Sequence, residues 1–213
     1  NALGTAVRDG IALHGADNIA EGDVLISNHA ETLGQHLNNV VMYTPIRAER
    51  GHGEIVAYFC ILMHWIDVGG ILVGSSTSTS TTEIFQEGIQ FRSVKLMHRG
   101  ERSEDMFRMI RYNTRFPDEL IGDVEAQIAG CLLGRDMVRQ IVGKYGVDRF
   151  RSAITTMRDH ARHLSKVAIE AAPKGEFSAY AFLDNDGVNL DKTVPIGVKV
   201  RLDGRRLTVD YVN

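Results

Sequence analysis

Two short polar clusters in this sequence contain side chains that could bind a metal ion or transfer a proton. In each cluster a histidine precedes a second donor by three positions, His36 before Asn39 and His64 before Asp67. A third histidine, His29, follows an earlier strand-like segment. Zinc, manganese and iron bind imidazole together with carboxylate or amide oxygen, but they need three or more ligands from several elements. The pattern therefore permits a metal site, and it equally permits a core histidine bonded to the backbone beside a turn-capping aspartate.

The elements around these clusters predict that the clusters meet in space. Nine of the ten residues in 55–64 are apolar or aromatic, which favours a strand buried on both faces. A second strand-like segment, 40–49, precedes it, and the loop between them, 50–53, contains glycine. Two strands joined by a short glycine-containing loop indicate an antiparallel hairpin. Such a hairpin would place the cluster at His36 beside the cluster at His64.

Two long helices are predicted after this β-rich region. The first carries apolar residues at steps of four, and the second alternates steps of four and three, which is typical of helices that pack as an antiparallel pair. The stepped residues are Leu120, Val124, Ile128 and Leu132 in the first helix and Phe150, Ile154, Met157, Ala161, Leu164, Ala168 and Ala171 in the second. Pro117, Gly146 and Pro173 mark the beginning, the junction and the end of this region.

The last part of the sequence is again β-like, and its Asp203-Gly204 turn predicts a hairpin. The predicted fold class is α+β, with a mixed or antiparallel sheet containing a buried long hairpin, an antiparallel helix pair, and a C-terminal β hairpin. We expect a β-rich core with the polar clusters at 1–115, the helix pair at 116–174 and the start of a C-terminal β region at 175–213. The absence of an initiating methionine suggests part of a longer protein.

The composition argues against several classes of function. Hydrophobic residues make up 44% and charged residues 24% of the 213 residues, as in ordinary soluble globular proteins. The net charge of −3 provides no basic surface for nucleic acid or for an anionic membrane, and no apolar run is long enough to span a bilayer. Cys60 and Cys131 both fall in apolar patterns, which indicates buried thiols in an intracellular, cytoplasmic protein. The sequence has no Walker-type loop, dinucleotide fingerprint or nucleophile elbow.

A series of motifs resembles the hydantoinase B family. In order along the chain they are GDVLISN, GQHLNN, YTPI, MHWIDVGG, TEIFQEGIQF, VKL and GDVEAQIAG. This family comprises the second subunits, or second halves, of N-methylhydantoinases, 5-oxoprolinase, caprolactamase, and the acetone and acetophenone carboxylases. The resemblance runs from about Gly4 to Tyr211 and covers the central part of the family's usual length.

The resemblance implies a subunit that works with a hydantoinase A-type partner in a hetero-oligomer. That partner would carry the ATP and magnesium site and would activate an oxygen of a small-molecule substrate by phosphorylation. The B-type subunit would then complete the hydrolysis of a cyclic amide or a carboxylation.

The resemblance also implies site residues, among them four candidate ligands for a divalent metal ion, zinc or manganese. These ligands are His36, Asn39, His64 and His29. Asp67 and Glu87 are the implied catalytic residues, as ligand, orienting group or general base. The sequence departs from the family pattern at Asn39, where an aspartate is frequent, and at Trp65, where a second histidine often stands.

These observations lead to three functional hypotheses. The leading one is the B-type subunit of an ATP-dependent hydrolase that opens hydantoin, oxoproline or lactam rings. The second is a subunit of an ATP-dependent ketone carboxylase of the acetone or acetophenone type. The third is a non-catalytic assembly scaffold that has lost its metal, and the departures at Asn39 and Trp65 motivate it.

Overall fold

The structure, a computed structural model, describes residues 2–49, 51–75 and 81–212. The chain divides into two compact units. The first is formed mainly by residues 2–75 and 83–147, and the second mainly by residues 148–212.

The first unit is built on a five-stranded antiparallel sheet. Its strands are β1 (Val24–Ser27), β2 (Asn39–Glu49), β3 (His52–His64), β4 (Val94–His98) and β5 (Glu101–Arg102). They lie in the order β3-β2-β1-β4-β5. The predicted hairpin of two long strands is therefore confirmed as β2 and β3.

Helices pack on both faces of this sheet. They are α1 (Ala2–His14), α2 (Ala30–Leu33), α3 (Glu104–Tyr112) and α4 (Pro117–Tyr145), with short 3-10 turns at Ala16–Asn18, Val73–Ser75 and Ile84–Gln86. Because successive side chains of a strand point to opposite faces, neighbouring residues enter different clusters. Leu25 and Tyr43 lie in a buried cluster with Ala6 of α1. The adjacent Ile26 and Met42 lie in a larger cluster with residues of α3 and α4.

The two strands of the hairpin differ in burial. β2 is buried throughout 40–46 because it lies between β1 and β3. β3 is largely half-buried, and Leu62 exposes 40% of its surface. The prediction that this apolar strand is buried on both faces is therefore wrong for β3. The strand lies at the edge of the sheet, where no further strand adjoins it among the described residues.

Helix α4 begins and ends where its sequence predicts. Pro117 lies in the first turn, where its missing N–H leaves no intrahelical hydrogen bond unmade. Asp118 and Glu119 follow it and place negative charge near the positive end of the helix dipole. Gly146 ends the helix with φ at 82°, a conformation that glycine adopts without steric cost.

The buried face of α4 differs from the predicted one. Its buried residues are Leu120, Ile121, Val124, Gln127, Ile128, Cys131, Gly134 and Val142. The predicted steps of exactly four positions drift around a helix that has 3.6 residues per turn, so that Leu132 is only half-buried. Buried residues that alternate steps of four and three keep one side of the helix toward the sheet. Gln127 lies three positions after Val124 and four before Cys131, so this polar side chain lies in the core.

The second unit contains most of α5 (Val147–Ala171) and a three-stranded antiparallel sheet. The strands β6 (Gly175–Leu183), β7 (Val194–Leu202) and β8 (Leu207–Val212) lie in chain order. The turn between β7 and β8 is closed by Asp203, whose Oδ1 accepts hydrogen bonds from the backbone N–H groups of Arg205 and Arg206 at 3.1 and 2.9 Å. The predicted C-terminal hairpin is thus confirmed, and β6 extends it to a sheet.

The predicted α+β class is confirmed, with its antiparallel sheet, long hairpin, two long helices and C-terminal hairpin. The apolar seam predicted for α5 is present in the sequence, but the helix contains no buried residue in the described structure. The antiparallel pairing of the two long helices and the domain boundaries at 115 and 174 stay predictions. In the described part of the chain, no helix is both long and apolar enough to cross a membrane.

Candidate functional site

The hairpin register brings the two polar clusters together. Asn39, at the start of β2, pairs directly with His64, at the end of β3. The imidazole rings of His36 and His64 lie 4.9 Å apart between centroids, with their planes tilted by 41°. His36 is half-buried and His64 is exposed. The predicted meeting of the two clusters is confirmed.

Hydrogen bonds continue the pairing beyond the ends of the strands. The backbone N–H of Trp65 donates to the carbonyl oxygen of Asn38 at 2.8 Å, and the Asn38 side-chain amide donates to the carbonyl oxygen of Trp65 at 2.6 Å. Both residues are buried. These two hydrogen bonds fix the backbone near His36 and directly after His64.

Asn28 holds the loop that carries His36. Its side-chain amide donates to the carbonyl oxygens of Leu37 and Ile89 at 2.8 and 3.0 Å, and its Oδ1 accepts from the backbone N–H of Phe91 at 2.6 Å. Asn28 is fully buried. This side chain therefore ties two segments to the end of β1, the His36 loop and the stretch 89–91.

Glu87 reaches the same loop from another segment. Its Oε2 accepts a hydrogen bond from the backbone N–H of Leu37, the residue after His36, at 3.3 Å. The Glu87 side chain is half-buried. The structure therefore joins this predicted catalytic carboxylate to the residue that follows His36 in the loop.

Asp67 lies in a different environment from the histidine pair. It is fully buried, and its Oδ1 accepts from Nη1 of Arg115 at 2.9 Å. Its Oδ2 accepts from the backbone N–H of Arg115 at 2.8 Å and from Oγ1 of Thr114 at 3.3 Å. These hydrogen bonds anchor the turn after β3 to the loop between α3 and α4. Its predicted catalytic role stays a prediction.

His29 is bonded locally. Its Nδ1 lies 2.8 Å from Oγ1 of Thr32, and the residue occupies the position before the first turn of α2. Among the residues described by the structure, no group of three or more histidine, cysteine, aspartate and glutamate side chains has the geometry to hold a metal ion. Of the predicted ligands, the structure brings together the rings of His36 and His64, and Asn39 lies opposite His64 in the hairpin. The predicted metal site stays a prediction.

Gln127 is a buried residue of this region that the sequence did not predict. Its Oε1 accepts from Nε1 of Trp65 at 3.0 Å. Its Nε2 donates to the carbonyl oxygens of Val40 in β2 and Ile61 in β3, at 3.0 and 3.1 Å. One side chain of α4 thus fastens both strands and the residue after His64. Its position in the alternating face of α4 is the sequence feature that could have revealed it.

The cysteines do not provide a nucleophile for this site. Burial raises the pKa of the Cys60 thiol to about 11 and that of the Cys131 thiol to about 12. Both thiols are therefore protonated at neutral pH, and a protonated thiol is a poor nucleophile. The groups able to bind a ligand or move a proton near the hairpin end are the two imidazoles and the Glu87 carboxylate.

Comparison with known proteins agrees with these features. The family model described as hydantoinase B/oxoprolinase matches residues 1–213. The chain belongs to this family. The beta subunit of caprolactamase from Pseudomonas jessenii is 30% identical over 91% of the chain, and the B-type subunit of a putative D-/L-hydantoinase from Pseudomonas sp. (strain NS671) is 29% identical over 91%. In both cases the match covers 33% of the relative, so the chain spans about a third of the length of these hydantoinase B relatives.

Solved structures show the same hydantoinase B fold. The crystal structure of ATP-dependent caprolactamase from Pseudomonas jessenii matches 99% of this chain and 35% of its own chain, with a TM-score of 0.87 and 30% identity. The nucleotide-free structure of acetone carboxylase matches 98% of this chain and 29% of its own, with a TM-score of 0.84. Its sequence identity is 18%, so this second likeness shows the fold alone.

Proposed function

We propose that this chain is part of the B-type subunit of an ATP-dependent hydrolase that opens a cyclic amide ring. The observation that carries the proposal is the similarity to the beta subunit of caprolactamase, which extends over 91% of the sequence and 99% of the structure. The B-type subunit of a putative hydantoinase matches the same share of the chain. Caprolactam and hydantoin rings share the cyclic amide group, which defines the substrate class.

The names of these relatives, each one subunit of an enzyme, support a partner subunit. We propose an A-type partner that binds ATP with magnesium in the cytoplasm and phosphorylates an oxygen of the substrate. This step would make the amide carbon more electrophilic before water attacks it. Cleavage of the C–N bond would then leave an acyl phosphate, which a second water molecule would hydrolyse to the carboxylate and inorganic phosphate. The described residues contain no phosphate-binding loop motif in their sequence, which is consistent with a division of labour between two subunits.

The residues of this chain would act on the activated ring at the end of the hairpin. A neutral imidazole accepts a proton at one nitrogen and donates one at the other, so His36 and His64 can remove a proton from water and return one to the leaving nitrogen. The Glu87 carboxylate would accept a hydrogen bond from the attacking water or orient the imidazole of His36. Asp67 would hold the backbone behind the site.

A divalent metal ion held by the same residues is the alternative form of the proposal, because an imidazole nitrogen that binds a metal ion cannot also accept a proton from water. His36 and His64 would provide two ligands and Asn39 a weaker third, with the remaining ligands from groups outside this set. When bound, zinc or manganese polarises a carbonyl group or lowers the pKa of a bound water.

An assay of the assembled complex tests the proposed reaction. The protein, purified with its ATP-binding partner, is supplied with ATP and magnesium and either a cyclic amide (a hydantoin, 5-oxoproline or a lactam) or bicarbonate with a ketone. We expect ADP and a ring-opened product to form together from a cyclic amide. Carboxylated ketone as the product would establish the carboxylase alternative; acetone carboxylase shares the fold of this chain. Absence of both products would favour a scaffold.

A further inference from the structure

Arg115 binds both ends of the turn that follows β3. Its Nη1 donates to Oδ1 of Asp67 at 2.9 Å, and its backbone N–H donates to Oδ2 of the same carboxylate at 2.8 Å. Its Nη2 donates to the carbonyl oxygen of Gly70 at 2.6 Å, and Nη1 lies 3.4 Å from that of Gly69. A single guanidinium group thus spans the turn 67–70.

The guanidinium shape is needed for this arrangement. Asp67 is fully buried, whereas the Arg115 side chain exposes 42% of its surface. The arginine neutralises a carboxylate that water cannot reach, and its planar fork bonds that carboxylate and a backbone carbonyl at once. A lysine side chain would keep the positive charge, but it lacks the second guanidinium nitrogen that donates to the carbonyl oxygen of Gly70.

The turn is in direct contact with the segment that carries Glu87. The backbone N–H of Ile71 donates to the carbonyl oxygen of Gln86 at 2.8 Å, and the N–H of Ile89 donates to that of Val68 at 2.8 Å. These two hydrogen bonds flank Glu87 on either side along the chain. A displacement of the turn therefore displaces the backbone of Glu87.

Glycine at position 70 allows the two backbones to touch. A Cβ added to Gly70 would lie 2.4 Å from the carbonyl oxygen of Gln86 and 2.5 Å from the carbonyl carbon of Glu87. Gly70 also has φ at 76°, which disfavours any other residue. The contact is backbone against backbone, with no flexible side chain between to absorb a shift.

We propose that Arg115 is a positioning residue that fixes Glu87 against the His36 loop through the turn 67–70. The proposal rests on the hydrolase function proposed above. The path is continuous, from the guanidinium to the turn, from the turn to the Glu87 backbone, and from Glu87 Oε2 to the N–H of Leu37. Arg115 acts on the reaction through Glu87, without contact to the substrate.

The test uses the complex of this protein with its ATP-binding partner and a cyclic amide that the wild type hydrolyses. Arg115→Lys retains the positive charge beside Asp67. Gly70→Ala instead disturbs the contact between the turn 67–70 and the backbone of Glu87. Arg111→Gln is the matched control, because the Arg111 guanidinium forms its ion pair with Asp118, on the surface of the same unit. ADP and ring-opened product are measured per assembled complex, together with the melting temperature.

We expect product formation to fall about ten-fold or more in Arg115→Lys and in Gly70→Ala, with ADP formation largely kept, so that the ratio of ADP to product rises. The control should keep the wild-type ratio. An unchanged ratio in either assembled variant overturns the proposal, as does failure of both variants to assemble, because a purely structural role then accounts for Arg115. A wild-type complex without amidase activity refutes the proposed function itself, and this outcome is seen before any variant is made.

Discussion

The rings of His36 and His64 lie 4.9 Å apart because Asn39 and His64 are directly opposite in the β2–β3 hairpin. His36 precedes β2 and His64 ends β3, so the hairpin register brings them together while Asn28 holds the loop that carries His36. This proximity is what either proposed role requires, the exchange of a proton or the binding of the same ion.

Replacement of either histidine by alanine tests this pair. We expect His36→Ala and His64→Ala each to lower ring opening about 100-fold, the range for loss of a general base, and the double variant to lose little more. Neither side chain is fully buried, so the melting temperature should stay close to that of the wild type. Steady-state rates and elemental analysis of the purified complex are the measurements.

His160→Ala, on the exposed surface of α5, is the matched control for the loss of an imidazole. Full activity in both site variants would refute a role for the pair in the reaction. Unfolding of both site variants would show that the two histidines have a structural role.

Removal of the Gln127 amide should destabilise the first unit. Gln127→Met retains the length of the side chain but removes the acceptor of the buried Trp65 indole N–H and one donor to the carbonyl oxygens of Val40 and Ile61. Each buried polar group left unpaired costs about 1–3 kcal/mol, so we expect the free energy of unfolding to fall by about 2 kcal/mol or more. Urea unfolding measures the change.

Gln140→Met provides the comparison, because Gln140 is exposed on the same helix. If the two substitutions changed the free energy of unfolding equally, the Gln127 network would contribute nothing to stability.

Replacement of two glycines of α4 by alanine should change the free energy of unfolding in opposite directions. A Cβ at Gly134 would lie 2.1 Å from the ring of Phe59, and crowding of this kind costs about 1–3 kcal/mol. A Cβ at Gly143 would meet nothing within 4 Å. Gly143→Ala should therefore raise the free energy of unfolding by about 0.5–1 kcal/mol through helix propensity alone. Equal effects in chemical denaturation would show that α4 does not pack on β3 at Gly134.

The cysteines make a prediction that depends on pH. Burial raises the pKa of Cys60 to about 11 and that of Cys131 to about 12, from a reference value of 9.0. Since the folded state retains the thiol protons more strongly, this contribution to stability is complete below pH 9 and is lost as the pH rises toward 11–12. At pH 8 the folded protein should react with iodoacetamide much more slowly than the urea-unfolded protein. Equal rates, followed by mass spectrometry, would contradict the burial of Cys131 and the half-buried position of Cys60.

Much of the fold follows from patterns within the sequence. The run of apolar residues at 55–64, its neighbour at 40–49 and the glycine loop between them were sufficient to predict the hairpin and the meeting of its polar ends. Each of these features is local, and pairing follows from the short loop. The burial of β3 could not be predicted in the same way, because the position of a strand within a sheet depends on where distant segments such as β1 and β4 join it.

The residues that support the site were harder to predict. Arg115 lies between two helices in the sequence, where an arginine usually indicates a solvated loop, and its partner Asp67 is distant along the chain. Gln127 occupies a core position only because the helix face alternates its steps, and its partners lie on two strands. Contacts between distant segments, each satisfying a buried polar group, leave little trace in local sequence patterns.

The place of β3 at the edge of its sheet has a consequence for how the site is completed. His64 stands at the end of that edge strand, and Asn38, Asn28 and Gln127 fix the surrounding backbone from the interior. These bonds all form within the first unit, so folding of that unit alone sets the backbone on this side of the candidate site. A ligand or a second chain that binds at the end of the edge strand would therefore meet a backbone that needs no rebuilding of the core.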